Sequence, residues 1–302
     1  MAFNIWRITD GKAGHDSQSI GLCNAIESLQ PCKRFDIPAD NFLANGKNLV
    51  LKQFPRSKDL SSPDIIIGAG HGTHFPMLCA KRARGGKTIV LMKPSLPLSF
   101  FDFAIIPKHD STASQENIII TSGALNPMQF NNNKLANTGL ILLGGPSKHF
   151  RWDSDAILNQ ISHIVTHNTD IHWTVADSPR TPSNTLNNIV ELAFDDIEIL
   201  NVAETDSETL QKYIYTSEYI WVTMDSVSMI YESLSSGAAV GLLEVKQKNQ
   251  NRISSAIKAL IDEKQLTTFE IWNNTHELIY ASFKFNEAER CASLLLERGL
   301  LA

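Results

Sequence analysis

The sequence predicts an α/β protein built from two parallel sheets, each covered by helices on both faces. Three observations lead there. Short apolar runs recur throughout the 302 residues, among them "PDIIIGAG", "KTIVLM", "TGLILLGG" and "YIWVTM". Helical patterns such as "DSQSIGLCNAIESL" and "DAILNQISHIVTH" fall between them. Continuous β-branched runs, rather than strict alternation, mark strands buried on both faces, as in parallel sheets with helical crossovers. Finally, there are more strands than one doubly wound sheet of ordinary size needs.

The elements follow in order. "FNIWRIT" is the first strand, and the helix after it is expected to be capped by Asp16 or Ser17. "KRFDI", "PDIIIGAG", "KTIVLM", "FDFAIIP" and "NIIIT" continue the first half as strands. In the second half "TGLILLGGPS", "DIHWTVADS", "IEILNV", "YIWVTMDS" and "AVGLLEV" read as strands. "TLNNIVELAF" and "RISSAIKALIDEKQL" read as helices between them. The asparagine-rich "MQFNNNKLANTG" is the best linker. A cut near residue 136 then gives two Rossmann-like domains facing each other, 1–136 and 137–302, with the last helix free to pack back on the first.

Composition narrows the class. A hydrophobic content of 43% with 20% charged residues is that of a globular protein. The net charge of −5 gives no general pull toward nucleic acid. The N-terminus lacks a basic, then apolar, signal pattern, and no apolar run reaches membrane-spanning length. The four cysteines form no Cys-x-x-Cys pair, and Cys23 and Cys79 sit among apolar neighbours. A cytoplasmic protein without structural zinc is the expectation. For "FLANGKNLVLKQFPRSK", with Lys47, Lys52, Arg56 and Lys58, two readings stand: a peripheral membrane contact or a solvated amphipathic helix.

In folds of this class ligands gather at the carboxyl ends of the strands. "DGKAGH" places His15 beside a helix N-terminus, where a neutral imidazole suits a general base; an exposed loop histidine explains it as well. "GAGHGTH" lacks both phosphate-loop spacings, and its His71 and His74 read as turn residues. "PKHDS" brings His109 and Asp110 to another strand end. In "GGPS", Gly144 and Gly145 let backbone approach a phosphate and Ser147 offers a hydroxyl. "DSPRTP" adds Ser178, Arg180 and Thr181, with the arginine suited to bidentate phosphate contact. "TMDSVSMIYESLSSG" ends a strand in Asp225, Ser226 and Ser228 and carries Glu232 within a helix. A capped, solvated helix and a ligand-holding one both fit it. Asp153 and Asp155 form an Asp-x-Asp pattern, but they open a helix, where acids cap and favour the dipole, so no metal site is expected.

Taken together and in order, "WRITDGKAGHDSQSIGLCNAI", "PKHD", "LLGGPS", "DSPRTP" and "VTMDSVSMIYESLSSG" resemble the elongated-mitochondria (mitochondrial fission) family. The resemblance spans most of the chain. It implies a GT-B-like architecture and, more distantly, similarity to the lipid-linked N-acetylglucosaminyltransferase of peptidoglycan synthesis. On that similarity Glu232 would accept hydrogen bonds from a donor ribose, and Gly237 would follow it. Gly144, Gly145, Ser147, Ser226 and Ser228 would sit near the donor diphosphate. "EVKQKNQNRISSA", with Gln247, Gln250 and Asn251, departs from the expected donor-sugar loop.

The implied function is a metal-independent glycosyltransferase using a nucleotide-diphosphate sugar as substrate, with no other cofactor. It would act on a cell-envelope or lipid-linked acceptor at the inner membrane face. His15, or failing that Asp110, would be the base. A non-catalytic GT-B scaffold for protein recruitment and a nucleotide-sugar epimerase are the alternatives.

Overall fold

The computed structural model describes residues 3–39, 51–110, 115–191, 197–249 and 252–300. Lys47, Gln250 and Asn251, and most of the basic amphipathic stretch, lie outside the described residues. The chain divides into two compact units, Met1–Pro127 with Asn286–Ala302, and Met128–Phe285.

The first unit contains β1 (Phe3–Thr9), α1 (Ala13–Leu29), β2 (Cys32–Pro38), β3 (Ile65–Ala69), α2 (His74–Arg84), β4 (Lys87–Leu91), β5 (Phe103–Pro107) and β6 (Ile118–Thr121). They form one parallel sheet in the order β2-β1-β3-β4-β5-β6. All five residues of β3 are buried, as a central strand covered on both faces requires. One face packs Ile5, Leu22, Ile26, Ile67 and Leu91, and the other Trp6, Ile8, Ile66, Met77 and Val90.

The second unit contains β7 (Leu135–Leu142), β8 (Phe150–Arg151), α3 (Ser154–His167), β9 (His172–Ala176), α4 (Ser183–Glu191), β10 (Ile197–Leu200), α5 (Ser207–Thr216), β11 (Ser217–Thr223), α6 (Val227–Ser236), β12 (Ala239–Leu243), β13 (Lys246–Gln247), α7 (Arg252–Asp262), β14 (Thr267–Thr268) and α8 (Phe269–Thr275). Its main sheet is again parallel, ordered β10-β9-β7-β11-β12-β14. β8 and β13 pair antiparallel beside it.

Residue 136 falls inside β7, and the asparagine run before it is tied down rather than loose. The Asn131 side chain donates to the Tyr215 carbonyl at 2.9 Å, and its backbone N–H to Ser236 O at 3.0 Å. The last helix, α9 (Glu287–Glu297), belongs to the first unit. Its Cys291, Ala292 and Leu295 join the core built on Leu22 and Ile26. Glu287 accepts from the Ser122 N–H, and Lys87 Nζ donates to Gly299 O.

Candidate functional site

Each sheet has one place where chain order reverses. In the first it lies between β1 and β3, in the second between β7 and β11. Loops leaving the carboxyl ends of two such strands diverge to opposite faces and open a crevice. The sequence-selected loops gather around these two places, except the one after β5.

In the first unit, His15 is the third residue of α1, not a loop residue ahead of it. The helix starts at Ala13 with Lys12 as an N-cap that makes no side-chain cap bond. Asp16 does not cap it, because its carboxylate is taken by β1. Arg7 Nη1 donates to it at 2.8 Å and the Thr9 hydroxyl donates to it as well. Arg7, itself buried, also donates from Nε to Asp36 at 2.7 Å. This network fixes the first turn of α1 against the end of β1.

The turn between them brings Asp10 back onto His15. Nδ1 of His15 lies 3.0 Å from both Asp10 carboxylate oxygens. The carboxylate is 9% exposed. Burial works against its charge, but the bond to His15, the field of that ring and the Lys12 amide outweigh it, and the acid is held below its ordinary range. A carboxylate on Nδ1 selects the tautomer with its proton there and leaves Nε2 as the working nitrogen. Among the described residues nothing bonds to Nε2.

The dyad rests on the loop after β3. A Cβ on Gly70, where φ is +79°, would lie 2.1 Å from the His15 ring, and one on Gly72 would lie 3.0 Å from Asp10. The glycines of "GAGHG" therefore make room for the His15 and Asp10 side chains. His71 Nδ1 meets Ser95 Oγ at 2.7 Å, and the same hydroxyl lies 3.4 Å from Nδ1 of the buried His74. These histidines form a linked group rather than independent turn residues.

Asp110 follows β5, three strands away from β1 in the sheet, or about 14 Å at the usual spacing. It is half-buried, and its carbonyl accepts from Lys93 Nζ at 3.2 Å. The fold does not bring it to His15. The side chain of His109 lies outside the described residues.

In the second unit the loops after β7, β9 and β11 lock together. Gly144 N–H donates to Thr223 Oγ1 at 2.7 Å and Gly145 N–H to Asp225 Oδ2 at 2.9 Å. Ser178 Oγ and Thr181 Oγ1 both donate to Gly144 O. Arg180 Nη1 reaches Gly145 O at 3.1 Å and Asp225 Oδ2 at 2.8 Å. A Cβ on Gly145 would sit 2.0 Å from the Arg180 carbonyl oxygen, so only glycine fits.

These bonds divide the expected ligand residues into two groups. Asp225, whose side chain is fully enclosed, and Ser178 and Thr181 hold the loop from behind. Asp225 Oδ1 has no hydrogen-bond partner among the described residues. Ser147 accepts from the His149 and Phe150 amides and closes the β7–β8 turn. Arg180, with its side chain 42% exposed, can still face outward.

The opening of α6 is left available. Ser226 stands at the N-cap without making a side-chain cap bond. Among the described residues nothing accepts from the amides of Val227, Ser228 and Met229. Aligned free amides and the positive dipole end favour an anion. Ser228 is exposed and Glu232 half-buried, four residues on and on the same face, about 6 Å along the axis. Ile230, Tyr231 and Leu234 point into the core instead.

Beside Met224 lies a cavity of about 530 Å³, lined by Gln160, Glu244, Val245, Gln247 and Thr268. That is within the usual size range for small-molecule sites. Gln160 braces its wall by donating to Glu244 O at 3.0 Å and accepting from Glu244 N–H at 2.8 Å. Asp153 accepts from the Ala156 N–H and caps α3. Among the described residues no three His, Cys, Asp or Glu side chains converge as a metal-ligand set.

The pattern of the mitochondrial fission ELM1 family matches residues 13–299. The chain belongs to that family. Uncharacterized protein RP120 of Rickettsia prowazekii (strain Madrid E) is 24% identical, with 97% of each chain covered. In three dimensions the chain is similar to the UDP-GlcNAc 2-epimerase of Neisseria meningitidis bound to UDP-GlcNAc, with a TM-score of 0.62, 9% identity and complete coverage of both chains. The glycotransferase of kitacinnamycin is similar at a TM-score of 0.52 and 9% identity, with 99% of each chain covered. These likenesses establish the GT-B fold. Among the described residues no helix is long and apolar enough to cross a membrane.

Proposed function

We propose that this ELM1-family chain is a glycosyltransferase that takes a nucleotide-diphosphate sugar and works without a metal ion. The observation that carries the reading is the Asp10–His15 dyad, seated against Gly70 at the carboxyl edge of the first sheet, with no partner for Nε2 among the described residues. That arrangement is what a general base requires. The second unit holds the donor. Its diphosphate lies at the start of α6, near Ser226, Ser228 and Arg180, and its ribose hydroxyls donate to Glu232. The nucleobase enters the cavity beside Met224.

In the reaction, His15 Nε2 takes the proton of an acceptor hydroxyl as that oxygen bonds to the anomeric carbon. The bond from the anomeric carbon to the diphosphate breaks, and the nucleoside diphosphate leaves with the electron pair. Arg180 and the α6 amides stabilise its charge in the role a metal has elsewhere. UDP-GlcNAc bound to the Neisseria structure supports a nucleotide sugar as the ligand class. The full-length likeness to that epimerase also favours a second reading, a nucleotide-sugar epimerase that needs no acceptor.

Calorimetric titration with UDP- and ADP-linked sugars tests the donor site. Saturable binding that is lost in Glu232→Ala is expected. Product analysis with and without envelope lipid extract then separates transfer from epimerisation. Turnover should fall about 10²- to 10⁴-fold in His15→Gln and in Asp10→Asn. Absence of nucleotide binding under every condition would sink the enzyme reading and leave a recruitment scaffold.

A further inference from the structure

The net charge of −5 hides one strongly basic face. In the second unit β8 and β13 form a two-stranded antiparallel ribbon, with Arg151 opposite Lys246 and Phe150 opposite Gln247. The Lys248 N–H donates to the His149 carbonyl at 2.9 Å and carries the pairing one step further. Side chains alternate along each strand, and directly opposed residues share a face. One face therefore takes Phe150, Val245 and Gln247. The other takes His149, Arg151, Lys246 and Lys248.

The first face is anchored. Phe150 and Val245 are buried and join the core built on Ile157, Ile161 and Trp221. The ribbon is thus a fixed part of the unit. The second face is open: Arg151, Lys246 and Lys248 are exposed, as is Lys148 at the turn.

The unit does not neutralise this charge. Among the described residues no carboxylate pairs with Lys148, Arg151, Lys246 or Lys248, and Lys248 Nζ donates to the Ser147 carbonyl at 2.8 Å. Two acids close in sequence are engaged elsewhere: Asp153 caps α3, and Glu244 accepts from the Glu270 N–H. Like charges directly opposite each other destabilise a pair of strands. The backbones of Arg151 and Lys246 lie about 5.5 Å apart across the ribbon, and successive outward residues follow at about 7 Å along it. Neighbouring cations thus fall within one Debye length at physiological salt, about 8 Å, and act as one charged surface. Packing does not ask for this arrangement, whereas a surface of fixed anions does.

The composition says which surface. Three of the four cations are lysines, so the bidentate arginine contacts typical of base and phosphate readout are mostly missing. The outward face carries no Phe, Tyr or Trp on which a nucleic-acid base would stack. Lysine acts as a hydrated point charge, which suits attraction to a layer of lipid phosphates.

We propose that this ribbon docks the second unit on an anionic lipid surface, with phospholipid headgroups as its partner. The inference does not rest on the catalytic reading, because a recruitment scaffold would use the same surface.

Co-sedimentation of the full chain with vesicles tests it. The probes are vesicles of phosphatidylcholine alone and of phosphatidylcholine with phosphatidylglycerol in equal parts. The chain should pellet with the mixed vesicles, stay in solution with the neutral ones, and be released as added salt shortens the Debye length. Arg151→Gln, Lys246→Gln and Lys248→Gln together should lower partitioning about 10²-fold, or about fivefold for each charge. Lys52→Gln, Arg56→Gln and Lys58→Gln together remove the same charge from exposed positions in the first unit and should leave binding within about twofold of the wild type. Melting temperatures of both triple variants establish that they are folded. The proposal is overturned if neither vesicle binds, if both bind equally, if the first-unit variant loses as much as the ribbon variant, or if heparin binds the ribbon and the mixed vesicles do not.

Discussion

His74 makes the first unit sensitive to acid. Its ring is 2% exposed, edge-on to Phe101 at 5.6 Å, with Ser95 and His71 as its polar neighbours. Burial first, and the charge of His71 second, push its pKa down to about 4 from the ordinary 6.5 of a histidine. Between those values the unfolded chain binds a proton that the folded chain refuses. Stability is therefore fully present above about pH 6.5 and is lost as pH falls toward 4. Linkage puts the loss at about 1 kcal/mol at pH 5.5 and about 3 kcal/mol at pH 4. The measurement is urea unfolding at several pH values, followed through the indole N–H of Trp6. That group donates to Ser61 O at 3.1 Å and belongs to the first unit, whereas the other four tryptophans belong to the second. His74→Gln should start less stable at pH 7.5 and lose less on acidification. Equal losses in the two proteins between pH 7.5 and 4.5 would refute the assignment of this acid sensitivity to His74.

Three further outcomes follow from the same geometry. Gly145→Ala forces a Cβ against the Arg180 backbone and should cost about 1–3 kcal/mol, read as a drop in the melting temperature of the second unit together with loss of nucleotide affinity. Asp225→Asn keeps the shape of the clamp but removes its charge. A double-mutant cycle with Arg180→Gln should return a coupling of about 0.5–3 kcal/mol, and strict additivity would show that the pair does not act as a unit. Gly70→Ala pushes on the His15 ring, so turnover should fall as far as in His15→Gln while donor affinity, measured separately by calorimetry, stays within about twofold.

Much of this fold was legible because buried parallel strands announce themselves. "PDIIIGAG" and "AVGLLEV" are apolar on both faces and allow no other covered arrangement. The sites were legible only as separate loops. Asp10 went unselected because "TDGKAGH" reads as a turn, and nothing in the spacing shows a carboxylate folding back onto a histidine five residues on. Asp225 was chosen for its place at a strand end, yet its carboxylate faces Gly145 and Arg180, partners some eighty and forty-five residues away in sequence. Which strand ends become neighbours depends on sheet order, and sheet order is a tertiary property that local periodicity does not carry. The two-residue strands β8, β13 and β14 are too short to show any period.

The placement of α9 has a consequence for how the chain is made. Residues 128–285 form one uninterrupted unit, whereas the unit begun by the first 127 residues needs residues 286–300 to close over Leu22, Ile26 and the end of β6. During synthesis the later unit is complete while the earlier one still waits, with an apolar face uncovered and Arg7, Asp16 and Asp36 already neighbours. The order of completion on the ribosome is thus the reverse of the order of translation. Truncation after Phe285 would leave the later unit intact and the earlier one open, with the strand that leads into the Asp10–His15 turn exposed to chaperones and proteases.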